Sequence, residues 1–337
     1  MTDFVDVTQT PDELRRIFVS LGLAAESEPL GVQALAGGVS SAIYRIDTTS
    51  GSYCLKQALP KLKVAKEWLA PVDRVFAEID WLITAGEIVP GSVPRVIGTD
   101  RTTRCLIMEY LGDHRVWKGE LLARRVDPAV AGAVGDVIGR VHAATAHSTT
   151  LAARFATDTN FYALRLEPYL VETARVHPEL ADLIHKLVQT TANRRIALVH
   201  GDLSPKNILL GHDGPVLLDA ECAWYGDPAF DVAFCLNHLL LKGAKLPQQI
   251  EQLMDSFSAF TTAYFPHVDF EPADDLERRI TNLLPALTLA RVDGKSTAEY
   301  LDEEARSQVR ASAITLLTSP RDNLDGVRRF WGQEFSR

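Results

Sequence analysis

A polar loop between apolar, strand-like segments constrains the fold of this chain more than any other feature. Residues 196–200 read as a buried strand, and the glycine, proline and polar residues of 201–207 read as a loop. Two further apolar runs then read as a hairpin. The pattern predicts that the loop holds Asp202 and Asn207 five positions apart, and that Asp219 ends the next hairpin strand.

These three side chains match the needs of one kind of chemistry. Phosphoryl transfer requires a carboxylate that orients the attacking hydroxyl and accepts its proton, together with oxygen ligands that hold magnesium against the phosphates. Asp202, Asn207 and Asp219 supply those groups. The tripeptide His200-Gly201-Asp202 taken alone also fits an ordinary turn. The combined spacing, with strands where strands are required, favours a phosphotransferase site.

The same segments resemble the motifs of the aminoglycoside phosphotransferase and choline kinase superfamily, relatives of the protein kinases. That superfamily has His-Gly-Asp where protein kinases have His-Arg-Asp, and Asp-x-Glu or Asp-x-Asp where they have Asp-Phe-Gly. The resemblance implies that Asp202 is the catalytic base and that Asn207 and Asp219 bind the metal, with Glu221 assisting at the metal through water. The implied cofactors are ATP and Mg²⁺.

The resemblance also implies a two-lobed α+β fold of the protein-kinase-like type. An antiparallel sheet lobe with one key helix would precede a larger, mainly helical lobe. The residues agree in outline, because β-branched and aromatic runs dominate up to about residue 110 and helical periodicity dominates beyond it. We therefore predict an N-terminal nucleotide-binding lobe over 1–112 and a C-terminal catalytic and substrate-binding lobe over 113–337.

The N-terminal part contains further residues that a kinase of this class requires. Lys56, on a strand, is expected to reach the phosphates of the nucleotide. Glu78, within the apolar stripe of a helix, is the preferred ion-pair partner of Lys56, and Glu67 is the alternative. The turn expected to cover the phosphates contains Gly37, Gly38 and Ser40.

Other residues receive supporting roles. The strand that ends near Glu109 resembles the connection between the lobes of these kinases, so the carbonyl of Glu109 and the N–H of Leu111 are expected to bind the adenine. Asp231 is expected to cap the buried helix that begins there and to steady the catalytic loop. We interpret His142 and His200 as structural.

The overall balance of the sequence disfavours several other classes of protein. The 337 residues carry a net charge of −9, so no broad basic surface for nucleic acid or an anionic membrane is expected. The four cysteines lie far apart without zinc-site spacing. No signal-peptide pattern and no apolar run of about 20 residues is present. We therefore expect a cytoplasmic monomer or homodimer whose partner is a small-molecule acceptor.

The acceptor itself is poorly constrained. Candidates are aminoglycosides and other antibiotics, choline-like amino alcohols, methylthioribose and other sugars, and homoserine, and the acidic balance mildly suits a cationic one. Arg291 and Asp293 lie at the end of an apolar helix near the C-terminus. They either hold the acceptor or serve only the helix end, with Gly294 as a left-handed cap.

Two alternative functions remain open. A chain with this fold could bind nucleotide without catalysis, because fold does not fix function; the joint presence of Lys56, Asp202, Asn207 and Asp219 argues against it. Protein kinase activity is the other alternative. Only eleven residues separate Asp219 from Asp231, which leaves no room for an activation loop and favours a small-molecule acceptor.

Overall fold

The computed structural model describes residues 6–35, 41–59 and 72–336. Its N-terminal part is built on a five-stranded antiparallel sheet with the spatial order β1-β2-β3-β5-β4. The strands are β1 (Gly31–Ala34), β2 (Ser41–Thr48), β3 (Gly51–Ala58), β4 (Val96–Asp100) and β5 (Cys105–Glu109). Strand β3 is central, so Lys56 is flanked by Ile43 on β2 and Leu106 on β5.

The two faces of this sheet carry different helices. Helix α1 (Pro11–Ser20) packs Phe18 and its apolar neighbours against the face that includes Leu55. Helix α2 (Arg74–Ile88) covers the opposite face, which includes Cys54. Since side chains alternate along a strand, Lys56 points with Cys54 toward α2. The predicted pairing of a strand lysine with a helix glutamate is therefore sterically possible.

The remainder of the chain is mainly helical. Its helices are α3 (Trp117–Leu122), α4 (Pro128–Thr145), α5 (Thr149–Arg154), α6 (Asp158–Phe161), α7 (Glu172–Val176), α8 (Ala181–Ala192), α9 (Ala229–Lys245), α10 (Ile250–Tyr264), α11 (Ala273–Asp293), α12 (Glu303–Thr318) and α13 (Leu324–Phe335), with a π-helical segment at Tyr162–Val171. Helices α4 and α10 approach closely at Gly135, where an added Cβ would lie 2.3 Å from the carbonyl oxygen of Phe260.

Two small antiparallel sheets carry the polar loop of 200–207. One pairs β7 (Ala197–Val199) with β10 (Trp224–Gly226), and the other orders β6 (Arg115–Val116), β8 (Ile208–Gly211) and β9 (Gly214–Leu217) as β6-β8-β9. The loop connects β7 to β8, as the sequence predicts. The predicted α+β architecture, a sheet with a helix followed by a mainly helical part, is confirmed.

Two predictions about helix ends are wrong. Helix α9 begins at Ala229, and the carboxylate of Asp227 accepts a hydrogen bond from the Ala229 N–H, so Asp231 lies inside the first turn and does not cap it. Gly294, which follows α11, has φ −81° and ψ −169°, so it is extended and not left-handed. A left-handed residue is unnecessary there because the chain turns away to bond Pro168, whose carbonyl accepts from the N–H of Lys295.

Within the described part of the chain, no helix is both long enough and apolar enough to cross a membrane. All four cysteines are buried and unpaired.

Candidate active site

Asp202, the predicted base, lies in the loop between β7 and β8 and is buried, with 2% of its surface exposed. Its Oδ2 lies 2.8 Å from Nη2 of Arg165 and 3.1 Å from Nζ of Lys206. Its Oδ1 is buried and has no hydrogen-bond partner among the described residues. One carboxylate oxygen is thus fixed by two cations, and the other has the capacity to accept a proton.

The loop that carries Asp202 is fixed from beneath by Asp231. The two carboxylate oxygens of Asp231 accept hydrogen bonds from the backbone N–H groups of His200, at 2.7 Å, and Gly201, at 2.8 Å. Gly201 has φ +79°, and an added Cβ would lie 2.4 Å from the carbonyl oxygen of Cys222. Only glycine fits that position without displacing backbone. Asp231 therefore makes the contact expected of it with the loop.

Both predicted structural histidines are buried and hydrogen-bonded. His200 accepts at Nδ1 from the N–H of Asp202, and its Nε2 lies 3.0 Å from the carbonyl oxygen of Leu218, which requires the proton on Nε2. Burial lowers the pKa of His200 and favours this neutral form. His142 lies between the hydroxyl of Tyr264, at 2.9 Å, and Asp231, at 3.2 Å. His200 thus bonds the backbone of Asp202, and His142 bonds the carboxylate of Asp231.

Lys56 joins the sheet to the catalytic loops through two carboxylates. Its Nζ lies 2.7 Å from Oε2 of Glu78 on α2 and also forms an ion pair with Oδ1 of Asp219, just after β9. Burial alone would lower the pKa of Lys56, but the carboxylates of Asp219 and Glu78 raise it above its ordinary value. The lysine is therefore protonated at neutral pH, as a phosphate-binding lysine must be.

The pKa values of the two carboxylates are shifted in opposite directions. Burial raises the pKa of Glu78 in spite of the opposing effect of Lys56. Burial would also raise the pKa of Asp219, but Lys56 and Lys206 hold it below its ordinary value. Asp219 is thus an anion over the physiological range, which is the form that binds a metal ion.

The predicted metal ligands lie on neighbouring segments. The carbonyl of Asn207 accepts from the N–H of Leu218, so Asn207 and Asp219 belong to adjacent strand ends. The side-chain Nδ2 of Asn207 donates to the carbonyl of Asp202, so Oδ1 is the side-chain atom that would bind a metal ion. Asp219 has φ +64°, a left-handed conformation that is uncommon outside glycine and concentrated at functional sites.

One carboxylate and one amide oxygen fit a magnesium ion better than a zinc ion. Magnesium takes few protein ligands and completes its octahedron with water and phosphate oxygens. The described residues contain no group of three or more histidine, cysteine, aspartate or glutamate side chains arranged to hold a metal. The donor set is therefore consistent with an ion shared with a nucleotide.

Glu221, two residues after Asp219, forms an ion pair with the start of helix α2. Its Oε2 forms a buried ion pair of 2.9 Å with Nε of Arg74 at the start of α2. The guanidinium of Arg74 also donates to the carbonyl of Leu59. This ion pair links the segment that follows β9 to helix α2. The role of Glu221 at a metal ion stays a prediction.

The remaining nucleotide contacts stay predictions. Glu109 ends β5, where its carboxylate accepts from the N–H of Arg95 at 2.8 Å, and Leu111 follows in the connection toward α3. Gly37, Gly38, Ser40 and the alternative partner Glu67 lie outside the described residues.

A cavity of about 480 Å³ opens beside Asp202 in the helical part of the chain. Arg291 lines it, together with aromatic side chains from three segments: Tyr169, Phe234 and Tyr300. Asp293 is not among the residues that line this cavity, because its carboxylate pairs with Arg310, at 2.7 Å, and with His177, at 2.8 Å. Of the two predicted acceptor residues, the structure brings only Arg291 to the site.

Sequence reasoning missed three cations that contact Asp202 or line the cavity beside it. Lys206 lies within the recognised loop and could have been noticed there. Arg165 lies on the π-helical segment, 36 residues before Gly201, whose carbonyl it also contacts, and no motif marks it. Lys242 lies at the end of an apolar run on α9 and lines the cavity although it is 1% exposed. A lysine in that place reads as an ordinary helix-end charge.

Comparison with known proteins places the chain in a family. A family model described as the phosphotransferase enzyme family matches residues 31–264. The chain belongs to that family. The superfamily resemblance seen in the motifs is thereby confirmed.

Relatives in this family include proteins named methylthioribose kinase. The one from Klebsiella pneumoniae (strain 342) is 26% identical over 257 residues, which cover 68% of this chain and 64% of that protein. The chain thus matches less than two thirds of that relative's length. A methylthioribose kinase from Geobacillus sp. (strain WCH70) is 25% identical over 305 residues, which cover 79% of this chain and 76% of the relative.

Two solved structures share the fold. A choline/ethanolamine kinase family protein from Mesorhizobium loti has a TM-score of 0.53 and 16% identity, and covers 97% of this chain and 99% of its own. The amicoumacin kinase hAmiN, solved with AMP-PNP, Ca²⁺ and Ami, has a TM-score of 0.54 and 17% identity, and covers 87% and 90%. At this identity the likeness concerns the fold alone.

Proposed function

We propose that this protein is an ATP- and magnesium-dependent phosphotransferase that transfers the γ-phosphoryl group to a hydroxyl of a small molecule. The observation that carries the proposal is the ion pair between Lys56 and Asp219, which are 163 positions apart. It joins the predicted phosphate-binding lysine to the predicted metal ligand, next to the loop of Asp202. A lysine buried between two carboxylates is costly to desolvate, which supports a functional role for this pair.

The proposed reaction forms one bond and breaks one. The acceptor oxygen bonds to the γ-phosphorus of ATP, and the bond from that phosphorus to the β–γ bridging oxygen breaks, so ADP leaves with the electron pair. The hydroxyl proton passes to Oδ1 of Asp202, the carboxylate oxygen without a partner among the described residues, and then to solvent. The products are a phosphate ester, ADP and a proton.

The other residues position and neutralise. Lys56 would bind the phosphates, and Glu78 would hold Lys56 in place. Asn207 and Asp219 would bind magnesium, which supplies neutralisation of the phosphate charge when it is present. Arg165 and Lys206 fix Oδ2 of Asp202, so that Oδ1 faces the acceptor. The relatives named methylthioribose kinase and the AMP-PNP and Ca²⁺ in the hAmiN complex support this assignment.

Asp202→Asn tests the base. Asparagine keeps an oxygen in place but cannot accept the proton, so we expect kcat to fall by roughly 10²- to 10⁴-fold while nucleotide affinity changes little. ATP consumption with a panel of amino alcohols, sugars and aminoglycosides measures kcat, and thermal denaturation checks the fold. The matched control is Asp213→Asn, an almost fully exposed aspartate on the β8–β9 turn, which should leave kcat unchanged.

Two results would contradict the proposal. Full turnover in Asp202→Asn would exclude Asp202 as the base. A protein that binds ATP but consumes none with any acceptor would support the catalytically silent alternative. The cytoplasmic location and the state as monomer or homodimer stay predictions from the sequence.

A further inference from the structure

Lys242 is a buried cation without a carboxylate partner among the described residues. It is 1% exposed, yet it lines the cavity beside Asp202. Its Nζ lies 3.5 Å from the carbonyl oxygen of His238 and 5.0 Å from the ring centroid of Tyr300, and neither contact neutralises its charge. Burying an unpaired ammonium group costs several kcal/mol in general. A position of this kind points to a ligand that supplies the missing negative charge.

Arg291 is a second such cation in the same cavity. It is 8% exposed, and its Nη1 donates to the carbonyl and, at 2.7 Å, to the hydroxyl oxygen of Ser296. These partners are neutral. Its Nε is buried and has no hydrogen-bond partner among the described residues. Arg291 therefore retains both an uncompensated charge and a free donor.

The other lysines that line the cavity each have a carboxylate partner. Lys118 pairs with Glu299, and Lys206 pairs with Asp202 at 3.1 Å. Lys295 pairs at 2.8 Å with Glu167, which lies outside the cavity. Lys242 and Arg291 are therefore the lysine and the arginine of this lining that have no carboxylate partner among the described residues. Both belong to long helices, α9 and α11, so their positions are fixed by the fold.

We propose that the acceptor carries an anionic group, a carboxylate or a phosphate, which Lys242 and Arg291 bind while its hydroxyl faces Asp202. This rests on the proposed function, because it takes that hydroxyl to be the one phosphorylated. It replaces the expectation of a cationic acceptor: an ammonium group in this cavity would meet two unpaired cations. Tyr169, Phe234 and Tyr300 would pack against the carbon skeleton.

The first test measures anion binding without turnover. The protein, saturated with AMP-PNP and Mg²⁺ so that its nucleotide site is filled, is heated in chloride, acetate or inorganic phosphate at equal ionic strength. We expect acetate or phosphate to raise the melting temperature relative to chloride, and the two salts distinguish a carboxylate site from a phosphate site. This rise in melting temperature should disappear in Lys242→Met and in Arg291→Met.

The matched control for the charge change is Lys245→Met. Lys245 lies on the same helix one turn later, is not among the residues that line the cavity, and pairs with Asp302 at 3.1 Å. In acetate or phosphate, the melting temperature of this variant should rise as much as that of the wild type. Asp202→Asn should also keep this rise while losing turnover, which separates anion binding from catalysis.

The second test compares acceptors that differ in charge. Glucose, glucosamine, gluconate and glucose 6-phosphate form one set, and glycerol, serinol, glycerate and glycerol 3-phosphate form another. We expect kcat/KM for ATP consumption to be at least about tenfold higher for an anionic member than for its neutral and cationic partners. Lys242→Met should raise KM for that acceptor about 10- to 100-fold, the loss expected for a charged hydrogen bond, with KM for ATP unchanged.

Three results would overturn the inference. One is an equal melting temperature in chloride, acetate and phosphate. Another is a higher kcat/KM for a neutral or cationic acceptor than for its anionic partner; the proposed function would then survive, because ATP would still be consumed. The third is a rise in KM for ATP alone in Lys242→Met, which would assign the lysine to the nucleotide.

Discussion

Replacing Lys242 with methionine is expected to stabilise the protein at neutral pH. Burial, together with the nearby charges of Lys118 and Arg291, lowers the pKa of Lys242 from 10.5 to about 7. Each unit of this pKa difference corresponds to about 1.4 kcal/mol, and the group is half protonated at pH 7. The burial of Lys242 therefore destabilises the folded protein by about 4 kcal/mol at pH 7. Methionine has a similar length and no charge to desolvate.

The net gain is smaller than this figure, because the contact of Lys242 with the ring of Tyr300 at 5.0 Å is also lost. A buried cation–π contact contributes about 2 kcal/mol, which leaves about 2 kcal/mol in favour of methionine. For a chain of 337 residues, an unfolding entropy of about 2 cal/mol/K per residue converts this into a rise of about 3 °C in melting temperature.

The pH dependence has a definite sign. Between about pH 7 and pH 10.5 the unfolded chain binds a proton at Lys242 that the folded chain does not, so the wild type gains stability as the pH rises. Below about pH 7 both states are protonated and the full cost remains. The advantage of Lys242→Met should therefore be largest at or below pH 7 and should shrink toward pH 10.5.

Thermal denaturation in chloride at pH 6.5 and at pH 9.5 measures the difference, with Lys245→Met as the control for lost charge. A melting temperature for Lys242→Met below that of the wild type at pH 6.5 would refute the reasoning. It would mean that Lys242 is neutralised in the folded protein without a ligand.

Three further changes follow from the site. Asp219→Ala should weaken nucleotide binding in the presence of magnesium and leave it nearly unchanged in its absence, because it removes a metal ligand; equal loss in both conditions would exclude that role. Lys56→Ala should lower kcat/KM for ATP by on the order of tenfold, and unchanged ATP kinetics would count against its place on the phosphates. Gly201→Ala should lower both melting temperature and kcat, because its Cβ would meet the Cys222 carbonyl at 2.4 Å; a variant with wild-type values would show that the loop can relax.

The catalytic loop could be predicted from sequence because its residues are contiguous. Asp202 and Asn207 lie on one loop, and the hairpin that follows returns the chain to Asp219, so local spacing was enough to bring them together. The pairing of Lys56 with Glu78 followed from a different rule, since a helix that packs on a sheet must turn one face toward it. Both inferences use only short-range geometry.

Long-range partners could not be predicted in this way. Arg165 contacts Asp202 from a π-helical segment with a proline at 168, a residue that usually marks the end of a helix. The contact of Asp231 with the loop 30 residues earlier was expected only from the superfamily resemblance, because no spacing or periodicity in the sequence indicates it. In each case the partner is chosen by tertiary packing, which leaves no periodic signal in the sequence.

The charge of the acceptor illustrates the same limit. The whole chain has 35 basic and 44 acidic residues, which mildly suggested a cationic acceptor. Charges on the surface are screened within about 8 to 10 Å by physiological salt, so most of them do not act on a buried ligand. The charges of buried side chains in the cavity are screened much less, and those that already form ion pairs are offset by their partners. The charge that the cavity presents to a ligand is therefore set by Lys242 and Arg291, the cationic side chains of its lining without a carboxylate partner among the described residues. For this reason an anion fits the cavity although the protein is acidic overall.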